Sequence, residues 1–186
     1  MVHIPRINAA TAAQAMRAGG VVAYPTEAVW GLGCDPYQPD ALGQILQLKQ
    51  RPVEKGVILI AATLAQVAPL LAGLTPAQRA MVEASWPAAV TWLVPLTDAV
   101  PAWISGQHDR VAVRVSAHPW VQALCLAFGG PIVSTSANPA GHREARTAQE
   151  VQHYFASAVP CLDGEVGGAG QPSQIRDAMT GAVLRG

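Results

Sequence analysis

The chain has 186 residues, 51% hydrophobic and 13% charged, and its twelve basic residues balance its twelve acidic ones. That content suits one domain, residues 1–186, with a core of its own, and argues against disorder. Zero net charge does not imply a whole-protein electrostatic grip on nucleic acid, so any anion must be held by local clustering.

Helical and strand-like segments alternate along the chain. Met1 to Gly20 lacks a basic region followed by an apolar block and does not read as a signal peptide. Asn8 is placed to cap a helix ending near Gly19, and "VVAYP" follows as a short buried strand. Leu42, Ile45 and Leu46 share one face of a helix over Asp40 to Lys49, with Pro52 stopping it. The continuous apolar run "VILIA", Val57 to Ala61, suits a strand covered on both faces. Thr63 with Gln66, Thr75 with Gln78 and Thr147 with Glu150 form capping-box patterns. Pro69 shortens or kinks the first of these helices, and Pro76 stands at the first position of the second. Further strands are expected at "AVTWLV", "VAVRV", "PIVST", "AVPCL", "SQIRD" and "AVLRG", with a helix from Pro119 to Phe128 ended by Gly129. Asp163 to Ser173 is a long, flexible, glycine-rich loop.

This alternation predicts an α/β fold around a twisted sheet, mixed rather than purely parallel because some adjacent strands lack a helical crossover. No run is long and apolar enough to span a membrane. Cys34, Cys125 and Cys161 are odd in number and far apart, which suits buried thiols in a reducing, cytoplasmic setting better than a disulfide frame or a zinc site. No P-loop, G-x-G-x-x-G or G-x-S-x-G pattern occurs, and the five histidines show no metal-ligand spacing. His118, before Pro119, reads as a helix-start residue.

Four segments carry more chemistry than packing requires. In "AYPTEAVWGLGCDP" a strand delivers Thr26 and Glu27 to its end, ahead of a Gly-x-Gly turn, where open α/β sheets bind ligands; a plain turn capped by these side chains is the alternative. "LQLKQRPVEKG" holds both lysines of the chain, Lys49 and Lys55, with Arg51 between them. Such a group suits a polyphosphate, although cations also compensate a helix C-terminus. Both Lys49 and Arg51 read as solvent-accessible. Arg114 lies on one strand face with Ala112 and Ser116, where a ligand carboxylate would be a partner. "PIVSTSANPAG" runs a buried strand into a turn whose Ser136 and Asn138 can donate to an oxyanion or bond their own backbone. The set lacks a nucleophile paired with a base; it suits alignment and stabilisation of phosphoryl charge.

These segments resemble the YrdC-like family. "KQR" at Lys49-Gln50-Arg51 and "SAN" at Ser136-Ala137-Asn138 match its K-x-R…S-x-N signature. "YPTEAVWGLGCDP", "LKQRPVEKGVILIA", "VTWLVP", "VAVRVSAHP", "STSANPAG" and "PSQIRD" follow in the family's order, from about Ala9 to Arg185. The chain is most similar to the family's short bacterial threonylcarbamoyl-AMP synthases.

The resemblance implies a YrdC-like fold with a concave basic cleft and a nucleotidyltransferase reaction. L-threonine, bicarbonate and ATP, accompanied by Mg²⁺, would give threonylcarbamoyl-AMP and pyrophosphate. The product would pass to tRNA threonylcarbamoyl-transfer proteins for modification of the adenosine next to the anticodon in tRNAs reading ANN codons. By resemblance Lys49, Arg51, Ser136 and Asn138 surround the ATP phosphates and the reacting centre, with Lys55, Thr91 and Arg185 also toward the nucleotide. Thr26, Arg114 and Ser173 would hold threonine. Ala88 stands where the family usually has glycine and would reshape a nucleotide contact, and Pro139-Ala140 replaces a common Leu-Ser. The alternatives are a carbamoyl-adenylate-forming module and a module that binds tRNA or other RNA without turnover.

Overall fold

The computed structural model describes residues 6–185. Chain order begins with β1 (Arg6–Ile7), α1 (Ala9–Arg17), β2 (Val22–Pro25), β3 (Trp30–Gly33), α2 (Pro39–Lys49), β4 (Ile58–Ala61), α3 (Leu64–Val67) and α4 (Pro76–Ala84). It continues through β5 (Val90–Pro95), α5 (Ala102–Ser105), β6 (Arg110–Val115), α6 (Pro119–Phe128), β7 (Ile132–Ser136), α7 (Ala148–Phe155), β8 (Cys161–Leu162), β9 (Gln174–Asp177) and β10 (Val183–Arg185). The strands form one ten-stranded sheet in the order β1-β8-β2-β3-β7-β4-β6-β5-β9-β10. The sheet contains parallel pairs (β4 with β6, β5 with β9) and antiparallel pairs (β2 with β3, β4 with β7, β5 with β6), so it is mixed as expected.

Local chemistry sets the helix ends. Asn8 accepts from the Thr11 N–H at 2.9 Å and starts α1. Thr75 and Thr147 form complete capping boxes with Gln78 and Glu150. Thr63 caps α3, but the Gln66 side chain turns away to the Ala62 N–H and the Cys125 carbonyl, so that box is half formed. Pro69 follows in a 3₁₀ turn, which leaves α3 four residues long. Gln50, not Pro52, terminates α2 by adopting a left-handed conformation with φ 50°.

One correction concerns the Gly-x-Gly of residues 31–33. It is not a turn but the last three residues of β3, paired antiparallel with β2. The glycines serve close approach: a Cβ at Gly33 would lie 2.6 Å from the Val133 carbonyl oxygen and 2.7 Å from the Tyr24 ring. Neither glycine has a positive φ.

The two faces of the sheet are used differently. Leu59, Val113, Val133 and Trp92 face one side and join a core with Leu42 and Ile45 of α2, Val82 of α4 and Val151 of α7. On the other side, Val22, Tyr24, Ile60 and Ile132 pack against α1 and α6 through Ala12, Met16, Val121 and Leu124. The remainder of that second face, with Ile58, Ala112 and Ser134, lies beyond α1 and α6. It is the wall of a cavity.

All three cysteines are buried and free. Burial pushes the Cys34 and Cys125 thiols up to about 12 and Cys161 to about 11. Among the described residues no helix is long and apolar enough to cross a membrane.

Candidate active site

The cavity has a volume of about 610 Å³. Its floor is this part of the sheet face, with Gly31, Ser134, Ser136, Ile58, Ala112 and Arg114 among its lining residues. Five cationic side chains line it (Arg51, Lys55, Arg110, Arg114 and Arg185) against three carboxylates (Glu27, Asp109 and Glu144). A recess of about 170 Å³ shares Arg51, Lys55 and Ser136 with it and adds Lys49, Asn138 and Gly141.

The cationic end is built where α2 meets the turn after β7. The Lys49 ammonium donates to the Ser136 carbonyl, to the Asn138 carbonyl at 2.9 Å and to Asn138 Oδ1 at 3.2 Å. Its own backbone carbonyl accepts from the Ala140 N–H at 2.7 Å. Asn138 in turn donates to the His142 carbonyl at 2.8 Å. Lys49 and Asn138 therefore lock the turn and leave the Ser136 hydroxyl and Arg51 beside the larger cavity. Lys49 is 3% exposed, which corrects the expectation that it is solvent-accessible. An ammonium bonded to three carbonyl oxygens does not need water, and Leu42 and Ile45 bring the same helix face into the core. Burial, with Arg51 nearby, lowers Lys49 to about 8.

Arg51 is half-buried. It donates to the Gly56 carbonyl at 3.0 Å, and its Nε is buried without a partner. Burial lowers its basicity. Lys55 is exposed and lines both the cavity and the recess.

The opposite end gathers Thr26, Glu27, Arg114 and Ser173. Thr26 is 5% exposed and its hydroxyl donates to the Val29 carbonyl at 2.7 Å. Arg114, 6% exposed, pairs with Glu27 at 3.5 Å, so the partner this strand arginine requires is already present within the chain. Ser116 donates to Glu27 Oε1 at 2.6 Å and accepts from the His118 N–H at 3.0 Å. Burial opposes ionisation of Glu27, but Arg114 and the Ser116 hydroxyl prevail and hold its carboxyl below the usual value. Burial lowers the His118 imidazole, only partly offset by Glu27. His118 caps α6 by position, as expected, yet its buried ring also packs under the 163–173 loop, where a Cβ at Gly167 would lie 3.1 Å from it.

That loop is strapped down rather than free. The Gly167 N–H bonds the Thr26 carbonyl at 3.0 Å, Ala169 bonds the Glu27 carbonyl at 2.8 Å, and Arg146 donates to the Gly170 carbonyl at 3.0 Å. The strap delivers Pro172 and Ser173 to the cavity wall. Arg185 lines the same wall and holds the Ser173 carbonyl at 2.9 Å.

Two sequence expectations land elsewhere. Thr91 is not among the cavity-lining residues: it is fully buried on the same strand face as the cavity-lining Leu93, its hydroxyl 2.8 Å from that of Ser173. Ala88 lines neither space, and its N–H bonds the Val115 carbonyl at 3.0 Å. The cluster of Glu27, Ser116 and His118 was underrated by sequence reasoning. The signal was the placement of Glu27 and Ser116 just past the ends of two buried strands, β2 and β6, the second of which carries the buried Arg114.

The Sua5_yciO_yrdC family model, described as telomere recombination, matches residues 14–186. The chain belongs to the Sua5/YciO/YrdC family. Among its relatives is the threonylcarbamoyl-AMP synthase of Cellvibrio japonicus, 53% identical, with 97% of this chain and 95% of that protein covered. The protein of the same name from Acinetobacter baylyi is 54% identical, with 96% of each chain covered. The crystal structure of P. abyssi Sua5 complexed with L-threonine matches with a TM-score of 0.84 at 31% identity. It covers 91% of this chain and 50% of that one, so this Sua5/YciO/YrdC chain spans half of its Sua5 counterpart.

Proposed function

We propose that the chain is a threonylcarbamoyl-AMP synthase, a nucleotidyltransferase that uses L-threonine, bicarbonate and ATP. One observation carries the reading. A single cavity joins a buried arginine–hydroxyl end (Arg114, Thr26, Ser173) to a cationic end (Arg51, Lys55, Ser136), in a chain whose relatives of the same length bear that name.

The residues divide the work accordingly. Arg114 pairs the threonine carboxylate, while Thr26 and Ser173 meet its hydroxyl and neighbouring polar atoms. The amine nitrogen adds to the bicarbonate carbon and water leaves, giving a carbamate. A carbamate oxygen then attacks the α-phosphorus of ATP, and the bond to the pyrophosphate oxygen breaks. Arg51 and Lys55 oppose the charge that develops on the departing pyrophosphate, and Ser136 donates to a phosphate oxygen. Lys49 and Asn138 hold the turn that presents Ser136, and the Lys49 charge lies at the floor of the recess. Arg185 closes the nucleotide end, and Thr91 supports Ser173. No covalent enzyme intermediate is needed, since the chemistry rests on alignment within one enclosed space.

Mg²⁺ enters with ATP as part of the substrate. Among the described residues no group of three or more His, Cys, Asp or Glu could hold a metal, so phosphate oxygens and water would supply its ligands. Residues 1–186 act as one domain in the cytoplasm, and the adenylate passes to tRNA threonylcarbamoyl-transfer proteins. The test is pyrophosphate release by the purified protein, with omission controls. Release should require threonine, bicarbonate and ATP·Mg together. Release with carbamoyl phosphate in place of threonine and bicarbonate would favour a carbamoyl-adenylate module. Salt-sensitive tRNA binding with no turnover would favour an RNA-binding module.

A further inference from the structure

We propose that Glu27 is the specificity-determining residue that makes the Arg114 site accept a free amino acid and reject a simple carboxylate. The inference rests on the reading of the cavity above. Arg114 and Glu27 both line the cavity, 3.5 Å apart, with side chains 7% and 15% exposed. Arg114 Nε and Glu27 Oε2 are buried and make no hydrogen bond, so neither charge is fully satisfied by the protein. The other titratable group packed against Glu27 is His118, which burial keeps neutral at neutral pH.

A lone buried arginine would attract any carboxylate. With a carboxylate beside it, an entering monoanion gains from Arg114 and is repelled by Glu27, and the two nearly cancel. A zwitterion instead places its carboxylate toward Arg114 and its ammonium toward Glu27 and gains from both. Burial of the pair amplifies the difference. Ser116 fixes the geometry: its hydroxyl occupies Oε1, leaving Oε2 turned to Arg114. The backbone carbonyl of Glu27 is held by Ala169 of the strap that carries Ser173, so the same residue ties the charged pair to the far wall of this end.

The experiment compares L-threonine with 3-hydroxybutyrate, which lacks the amine, and threoninol, which lacks the carboxylate. In the unmodified enzyme both analogues should inhibit at least about tenfold more weakly than threonine binds. Glu27→Gln keeps the shape and the bond from Ser116 but removes the charge. It should raise the threonine KM about tenfold, leave the ATP KM unchanged, and leave 3-hydroxybutyrate inhibition the same or stronger. Equal weakening of threonine and 3-hydroxybutyrate in Glu27→Gln would overturn the proposal and make Glu27 merely structural. So would tight inhibition of the unmodified enzyme by 3-hydroxybutyrate, a result that needs no variant to fold. Absence of threonine-dependent turnover in the unmodified enzyme would instead defeat the underlying assignment of the cavity.

Discussion

Lys49 shows how a signature residue can act from inside the protein. Its ammonium is committed to the Ser136 and Asn138 carbonyls and to Asn138 Oδ1, so loss of its proton loosens the turn that presents Ser136. Burial lowers it to about 8 from the ordinary 10.5. Between those values the unfolded chain holds a proton that the folded chain has released, so this group makes stability rise with pH across that window. ATP use should move the other way: the ATP KM is expected to climb above pH 8 in the unmodified enzyme and to lose that limb in Lys49→Arg. Matching pH profiles in the two would refute the clamp. Arg51 and Arg114 lie at opposite ends of the cavity, so Arg114→Ala should raise the threonine KM at least about tenfold and Arg51→Ala the ATP KM. Each should spare the other substrate, and steady-state kinetics read both. The pairing of "KQR" with "SAN" came from the resemblance to the YrdC-like signature, and the structure brings Lys49 into contact with Ser136 and Asn138. The burial of Lys49 was not legible in sequence, since nothing local says which carbonyls will meet an ammonium. The same holds for Thr91, whose partner Ser173 arrives at the end of the 163–173 loop.

Elements whose signals are local followed their sequence patterns closely. Asn8, Thr75 and Thr147 cap where expected, and α6 runs from Pro119 to Phe128 with Gly129 in the left-handed conformation. The half-formed box at Thr63 and the unexpected strand β3 have tertiary causes. Gln66 finds the Cys125 carbonyl on α6, and the Gly31 and Gly33 backbones lie against the Tyr24 ring. The contrast between two glycines tests this. Gly33→Ala puts a Cβ within 3 Å of both Val133 and Tyr24 and should cost about 3 kcal/mol. Gly43, exposed on α2, has nothing within 4 Å of an added Cβ, and Gly43→Ala should add about 0.5–1 kcal/mol. Chemical denaturation measures both, and equal effects would contradict the close-approach role of Gly33.

At the scale of the whole molecule, a mixed sheet was readable from the rhythm of elements, but its strand order was not, because register and neighbours depend on long-range pairing. That order is what creates the site. β4, β6 and β7 lie side by side, so Ile58, Ala112 and Ser134 form one floor, while α1 and α6 cover only the other part of the same face. The floor carries Arg114 at one end and meets the Lys49-clamped turn at the other, a geometry suited to joining an amino acid to a nucleotide. Supplying ¹³C-bicarbonate with threonine and ATP·Mg, and analysing the product by mass spectrometry, tests that claim most directly. The expected product is an adenylate that contains threonine and the labelled carbon, formed with one pyrophosphate and absent when any substrate is omitted. An adenylate of threonine without the labelled carbon, or ATP turnover indifferent to threonine, would contradict it.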